Sequence, residues 1–110
     1  MSDDRPSIES LIAKFVAFGA TDLYIKAGKP ALVRVNGRIR RLDTRVLDAL
    51  DTAALVKSIT PENAQREVQE SGQAEFTVDV QGRPFRVAVF TEHGALGLQI
   101  RWASPSGPVI

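Results

Sequence analysis

The segment FRVAVFTEHGALGLQIRW, residues 85–102, contains two runs in which apolar side chains occupy every second position. A period of two is typical of β-strands with one buried face. The apolar positions are Phe85, Val87, Val89 and Thr91 in the first run and Leu96, Leu98, Ile100 and Trp102 in the second. A two-residue turn at His93-Gly94 keeps both sets on one face of a hairpin, with Phe85 opposite Trp102. In that register Arg86 lies opposite Arg101 on the polar face.

The predicted pairing of Arg86 with Arg101 brings two positive charges together. Such a pair costs about 0.2–1 kcal/mol unless an anion lies between the side chains. Two interpretations follow from this geometry. Either the long side chains diverge into solvent, or the two guanidiniums form a clamp for a phosphate or a carboxylate.

Another strand precedes this hairpin. Residues 75–80 again alternate between polar and apolar side chains, and Gln81-Gly82 is suited to a turn. Phe76, Phe85 and Phe90 all belong to alternating strands, so we expect all three in the core.

A second group of strands lies nearer the N-terminus. Residues 21–26 alternate, and the pattern resumes at residues 31–35 after a break at Gly28-Lys29-Pro30. Asn36-Gly37 is the dipeptide best suited to a type I′ hairpin turn. Residues 38–42 are therefore expected to form the returning strand.

Two segments have helical periodicity. Residues 8–16 carry an apolar stripe, and Gly19 is expected to end that helix. Residues 44–71 have the same periodicity, with Thr60-Pro61 as N-cap and first residue of a further helix that ends at Gly72. The apolar positions before that cap are Leu47, Leu50, Leu55, Val56 and Ile59.

The order αβββααβββ and the length of 110 residues predict one α+β domain, an antiparallel sheet covered by helices on one face.

The net charge of +1 provides no global field toward nucleic acid or an anionic membrane. No cysteine and a single histidine exclude thiolate chemistry and paired-histidine metal sites, so no metal site is expected. Short apolar runs and an acidic start predict a cytoplasmic chain without membrane insertion.

Candidate motifs for phosphate chemistry are incomplete. A P-loop needs a glycine five residues before its Gly-Lys pair and a Ser or Thr after it, whereas Gly28-Lys29 has Leu23 and Pro30 there. The chain is therefore not expected to be an enzyme by itself. His93 has no second histidine and is expected to be exposed in a turn.

Basic residues surround the Asn36-Gly37 hairpin. Nucleic-acid-binding modules usually add stacking aromatic side chains to such charge, and only Tyr24 lies nearby. We therefore favour a solvated or partner-binding face over a nucleic-acid site. Arg45 lies close by, and the candidate face comprises Arg34, Arg38, Arg40 and Arg41.

Residues 19–30, GATDLYIKAGKP, and residues 34–42, RVNGRIRRL, resemble the "ASDLHxxxGxPxxRxxGxLxxL" opening of the type IV pilus retraction ATPases and their type II secretion relatives. EFTV at 75–78 is similar to that family's "DFSF", and FRV at 85–87 to its "FRVN". Ile100-Arg101 matches an arginine before its "IP" motif. The resemblance covers residues 7–103, and Tyr24 replaces the usual histidine.

The resemblance implies a PAS-like domain joined by a short linker to a RecA-like motor domain, with six subunits in a ring. It implies that Arg86 and Arg101 reach the phosphates of ATP, held with magnesium by the motor domain. The implied partners are the chain's own or a neighbouring motor domain and the pilus or secretion machinery of the inner membrane.

The expected layout is a disordered arm at residues 1–6, the PAS-like domain at 7–103, and a linker toward an absent motor domain at 104–110. The function expected from the resemblance is that of a non-catalytic N-terminal domain. The alternative is a stand-alone PAS-like sensor or protein-binding adaptor. The sequence leaves open whether such a motor would extend a pilus, retract it or drive secretion.

Overall fold

The computed structural model describes residues 6–103, and these form three helices and six strands in the predicted order αβββααβββ. The elements are α1 (Ile8–Ala17), β1 (Asp22–Ile25), β2 (Leu32–Val35), β3 (Arg38–Arg41), α2 (Ala49–Ile59), α3 (Glu62–Ser71), β4 (Gln73–Val80), β5 (Arg83–Glu92) and β6 (Ala95–Trp102). The α+β fold is confirmed. The predicted linker at 104–110 and all but Pro6 of the predicted arm lie outside the described residues.

All six strands form one antiparallel sheet in the order β3-β2-β1-β6-β5-β4. The short strand β1 lies in the middle and pairs with β2 on one side and with β6 on the other. It thereby joins the N-terminal hairpin to the C-terminal meander. Leu23 is directly opposite both Val33 and Ile100, so the apolar faces of the two halves are continuous.

Three two-residue turns connect the hairpins, and both residues of each have positive φ, as a type I′ turn requires. At Asn36-Gly37 the φ values are 51° and 80°, and at His93-Gly94 they are 54° and 79°. The predicted register of the last hairpin is confirmed: Phe85 pairs with Trp102 and Arg86 with Arg101.

The helices cover one face of the sheet and enclose the core. Phe15 of α1 lies against Phe85 and Trp102, with ring centroids 5.8 and 5.6 Å away. The Trp102 indole nitrogen donates a hydrogen bond to the Ala20 carbonyl oxygen. This aromatic cluster fixes α1 on the C-terminal strands, and α2 packs against β6 beside it.

The predicted helix boundaries between residues 44 and 62 were wrong in two places. The segment before Ala49 is irregular, because Asp48 caps α2 and Arg45 makes a bidentate ion pair with the buried Asp51 at 2.7 and 2.8 Å. Leu50 is consequently 71% exposed rather than part of the apolar stripe.

Thr60 is the C-cap of α2 and not the N-cap of α3. Its buried hydroxyl donates to the Val56 carbonyl oxygen at 2.6 Å and is thus engaged with the last turn of α2 rather than with the start of α3. Pro61 is the N-cap of α3, without a side-chain hydrogen bond. The two helices therefore share a tight junction at residues 60–61.

Phe90 does not belong to the core, contrary to the prediction. It pairs with Gly97 and lies on the face of the sheet opposite the helices. The strand β5 places odd-numbered residues in the core, and Phe90 has the other parity. Phe85 is fully buried and Phe76 packs partly against the core, as expected.

Candidate functional site

The sheet face opposite the helices, called here the open face, carries a row of charged residues across four strands. Directly opposed residues of antiparallel strands point to the same face. Arg34 pairs with Asp22, Asp22 with Arg101, and Arg101 with Arg86. The pairing of β1 with β6 is what brings Arg34 and Asp22 beside the two C-terminal arginines.

The Arg101 side chain is exposed and makes no hydrogen bond or ion pair with any other residue in the range 6–103. Its cross-strand neighbours are Arg86 on one side and Asp22 on the other. Strand pairing on both sides fixes the Arg101 backbone, and its exposed guanidinium is available to an external anion.

Arg86 has a weak internal partner. Its Nη2 lies 3.3 Å from Oε1 of Glu75, and both side chains are more than half exposed. An exposed ion pair of this kind contributes about 0.2–1 kcal/mol, the same range as the like-charge contact with Arg101. The two terms roughly cancel, so neither arginine is placed here for the stability of the domain.

Asp22 connects the row to the rest of the sheet. Its carboxylate accepts hydrogen bonds from Thr21 Oγ1 at 2.8 Å and from Gln99 Nε2 at 3.0 Å, and Arg34 Nε lies 3.7 Å away. Its side chain is only 13% exposed. No local sequence pattern indicates a role for Asp22, because the β1–β6 pairing links residues 73 to 79 positions apart.

Tyr24 occupies the position where the resembling family has histidine. Its hydroxyl accepts a hydrogen bond from Arg34 Nε at 3.3 Å, and the Arg34 guanidinium lies 5.9 Å from the ring centroid. The hydrogen bond to Tyr24 raises the pKa of Arg34. Arg34 also donates to the Gly37 carbonyl oxygen, so this side chain is held in place rather than free.

The four arginines of the candidate basic face do not all lie on one side of the sheet. Arg34 and Arg41 point to the open face, whereas Arg38 and Arg40 are opposite Val35 and Val33 and share the helical side. All residues of the edge strand β3 are exposed. Charged side chains on an edge strand also discourage pairing with other chains.

Chemically, the pair Arg86 and Arg101 can bind an anion. Each guanidinium presents a planar set of N–H donors that matches phosphate or carboxylate oxygens. An anion between them would replace a repulsive contact with two attractive ones. His93, the one histidine of the chain, is exposed in its turn, at the opposite end of β5 and β6 from the arginines.

The sequence matches no protein-family model. It is 30% identical over 95 residues to the type IV pilus retraction ATPase PilT of Pseudomonas aeruginosa, a match that covers 86% of this chain and 28% of PilT. It is 28% identical over 103 residues to the type IV pilus ATPase PilU of the same organism, covering 93% of this chain and 27% of PilU. The chain thus spans little more than a quarter of the length of these relatives.

Solved structures agree with these matches. A crystal structure of the pilus retraction motor PilT with bound ADP has a TM-score of 0.85 at 30% identity, over 91% of this chain and 30% of that one. The ATPase DotB of Legionella pneumophila has a TM-score of 0.76 at 20% identity, over 94% of this chain and 31% of that one, and shares the fold. No helix within residues 6–103 is long and apolar enough to cross a membrane.

The resemblance inferred from the motifs at residues 19–42, 75–78 and 85–101 is confirmed by these matches over most of the chain. The chain is therefore homologous to the N-terminal part of the type IV pilus ATPases PilT and PilU.

Proposed function

We propose that this chain acts as the non-catalytic N-terminal domain of a hexameric pilus or secretion motor ATPase. The domain docks on its own or a neighbouring motor domain, and Arg86 and Arg101 contact the phosphates of ATP bound there with magnesium. The observation that carries this proposal is Arg101, exposed and unpaired beside a second arginine on a face without helices.

Several features of the pair support a role toward phosphate. Both arginines lie on interior strands of the six-stranded sheet, so their strands are paired on both sides. Their charges repel each other in the isolated domain, and a polyphosphate between them removes that repulsion. A rigid, preorganised guanidinium stabilises charge on a transferring phosphoryl group without having to reorganise during the reaction.

The remaining parts of the proposal concern partners. The motor domain supplies the P-loop and the magnesium ligands, six subunits form a ring, and the ring works in the cytoplasm against the inner-membrane pilus or secretion machinery. The arginines of the hairpin, Arg34, Arg38, Arg40 and Arg41, contribute secondary contacts to a protein partner. Arg34 makes its contact to the partner from the open face, on the same side of the sheet as Arg86 and Arg101.

The experiment uses the full-length ATPase that contains this domain. Arg86→Ala or Arg101→Ala is expected to lower ATP turnover by about 10³-fold or more, as for arginines that contact the transferring phosphoryl group in other enzymes. Arg101→Lys should restore little, because lysine lacks the planar pair of donors. The matched control is Arg83→Ala. Arg83 is an exposed arginine of β5, the strand of Arg86, and it points to the other face of the sheet.

Wild-type turnover in both alanine variants would refute the phosphate role and leave the arginines as a solvated face. A loss that Arg83→Ala shares would indicate a general effect of charge. The chain by itself should hydrolyse no ATP, and phosphate release above the buffer background would contradict that part of the proposal. A stand-alone sensor or adaptor remains the alternative, and a ligand pocket at the far end of the open face favours it.

A further inference from the structure

The open face has a second feature at the end away from the arginine pair. The Phe90 ring lies close to the buried Gly97 of the neighbouring strand. A Cβ at position 97 would be 2.6 Å from Cε1 of that ring and 2.8 Å from the Ile25 carbonyl oxygen, so only glycine fits. Glycine inside a strand weakens the sheet, and it often marks the close approach of a ligand or another chain.

Phe90 forms the floor of a cavity of about 340 Å³ between the loop after β1 and the turn between β5 and β6. This cavity is called here the ring pocket, and it is lined by Lys26, Lys29, Phe90, Glu92, His93 and Gly97 with three further apolar residues. A shallower groove of about 560 Å³ shares Phe90 and both lysines and extends over Tyr24, Leu32 and Ile39. Volumes of this size are usual for small-molecule sites.

Positive charge lines the ring pocket. Lys26 is neutralised by Glu92, with Nζ 3.1 Å from Oε1. Lys29 has no ion pair with any residue in the range 6–103. The cavity therefore presents one unmatched ammonium group and one aromatic ring.

The loop that carries Lys29 is held in place before any ligand arrives. The Gly28 N–H donates to the Leu47 carbonyl oxygen at 2.7 Å, and the Leu47 N–H donates to the Lys29 carbonyl oxygen at 3.0 Å. Leu47 is fully buried, so these bonds tie the loop to the core. A preformed site binds at a lower entropic cost than a mobile one.

We propose that the ring pocket binds a small ligand in which a planar ring carries a phosphate or a carboxylate. The ligand's ring stacks on the Phe90 ring, and its anionic group pairs with Lys29. Gly97 allows the Phe90 ring to lie against the sheet. Phe90 is four residues along β5 from Arg86, roughly 13 Å at strand spacing. The pocket is thus a second site, separate from the arginine pair and independent of a motor domain.

The test is a titration of the ¹⁵N-labelled chain, followed by amide NMR shifts. AMP supplies a ring with a phosphate, phenylacetate a ring with a carboxylate, adenosine a ring alone, and inorganic phosphate an anion alone. We expect AMP or phenylacetate to shift Lys29, Phe90 and Gly97, and to bind more tightly than either single-group probe. Whichever of AMP and phenylacetate binds more tightly identifies the anionic group as a phosphate or a carboxylate.

Variants assign the two contacts. Phe90→Leu retains apolar bulk without an aromatic face and should weaken binding about fivefold or more, since stacking of a base on an aromatic ring contributes at least that much elsewhere. Lys29→Gln should reduce binding of AMP or phenylacetate to that of adenosine. The control is Lys57→Gln on the helical side, which should bind as the wild type does.

Two results would overturn the proposal. One is the absence of shifts at the ring pocket with every probe, including the case in which only an added motor domain perturbs these residues, which would make the pocket part of a docking surface. The other is a set of shifts confined to Arg86 and Arg101 and abolished by Arg101→Ala, which would support the phosphate role of the arginine pair instead.

Discussion

Replacing Gly97 by alanine tests the packing of the open face with a single methyl group. The new Cβ would lie 2.6 and 2.8 Å from two atoms of the Phe90 ring and 2.8 Å from the Ile25 carbonyl oxygen. Ordinary contacts of a Cβ begin near 3.4 Å. The ring must therefore move outward, and the carbonyl cannot follow because Ile25 is paired to Leu98 in the same ladder.

The magnitude follows from two opposing terms. Overpacking of this kind costs about 1–3 kcal/mol. Alanine in place of glycine inside a strand returns about 0.5–1 kcal/mol, since the unfolded chain is less flexible. The central values of these ranges, about 2 and about 0.75 kcal/mol, give an expected net loss of about 1.3 kcal/mol. For a domain of this size, each kcal/mol lowers Tm by roughly 4–8 °C.

The assay is thermal and urea unfolding of Gly97→Ala, Phe90→Ala and the double variant, with Arg101→Ala, on the same strand and face, as the control. In the Phe90→Ala background the ring is gone and only the Ile25 contact remains. Gly97→Ala should therefore cost less there, by about 0.5 kcal/mol or more. An unchanged Tm in the single variant, or equal costs in both backgrounds, would refute the close packing of Phe90 on Gly97.

Three other changes test separate parts of the structure. Gly37→Val places a β-branched residue at a φ of 80° and should cost more than about 1 kcal/mol; an unchanged urea midpoint would contradict the type I′ turn. Hydrogen bonds from Arg45 lower the pKa of Asp51, so this carboxylate stabilises the fold above its ordinary pKa near 4, and the effect is lost as the pH falls through the lowered value. Asp51→Asn should cost about 1–3 kcal/mol at pH 7 and flatten the loss of stability below pH 4, and parallel acid-unfolding curves for the two proteins would exclude this role. Arg101→Ala should leave the unfolding free energy within about 0.5 kcal/mol of the wild type, because the side chain has a like charge on one side and Asp22 on the other; a larger loss in chemical denaturation would reveal a structural role.

Local patterns were sufficient for several parts of this fold. The alternation in residues 85–102 specified which side chains face the core, and the two-residue turn at His93-Gly94 specified the register that pairs Arg86 with Arg101. Both depend on neighbours along the chain, through the period of two of a strand and the positive φ of a type I′ turn. The order of the elements could be predicted for the same reason.

Tertiary structure decided how the two halves meet. The pairing of β1 with β6 places Asp22 beside Arg101, and it joins residues too distant in sequence for any periodicity to reveal. The start of α2 depended likewise on the ion pair of Arg45 with Asp51, which competes successfully with helical propensity.

Phe90 illustrates the same division. Its aromatic character and its place in a strand suggested the core, whereas its parity on β5 places it on the open face. It finds a partner there only because Gly97 of the adjacent strand lacks a side chain. The sequence by itself determined the strands, the turns and the pairing of the two arginines, since these are set by interactions between near neighbours. Strand order and cross-strand packing decided which residues surround that pair and which residues line the ring pocket. The free energy of folding at these places depends on contacts between residues that only the folded sheet brings together.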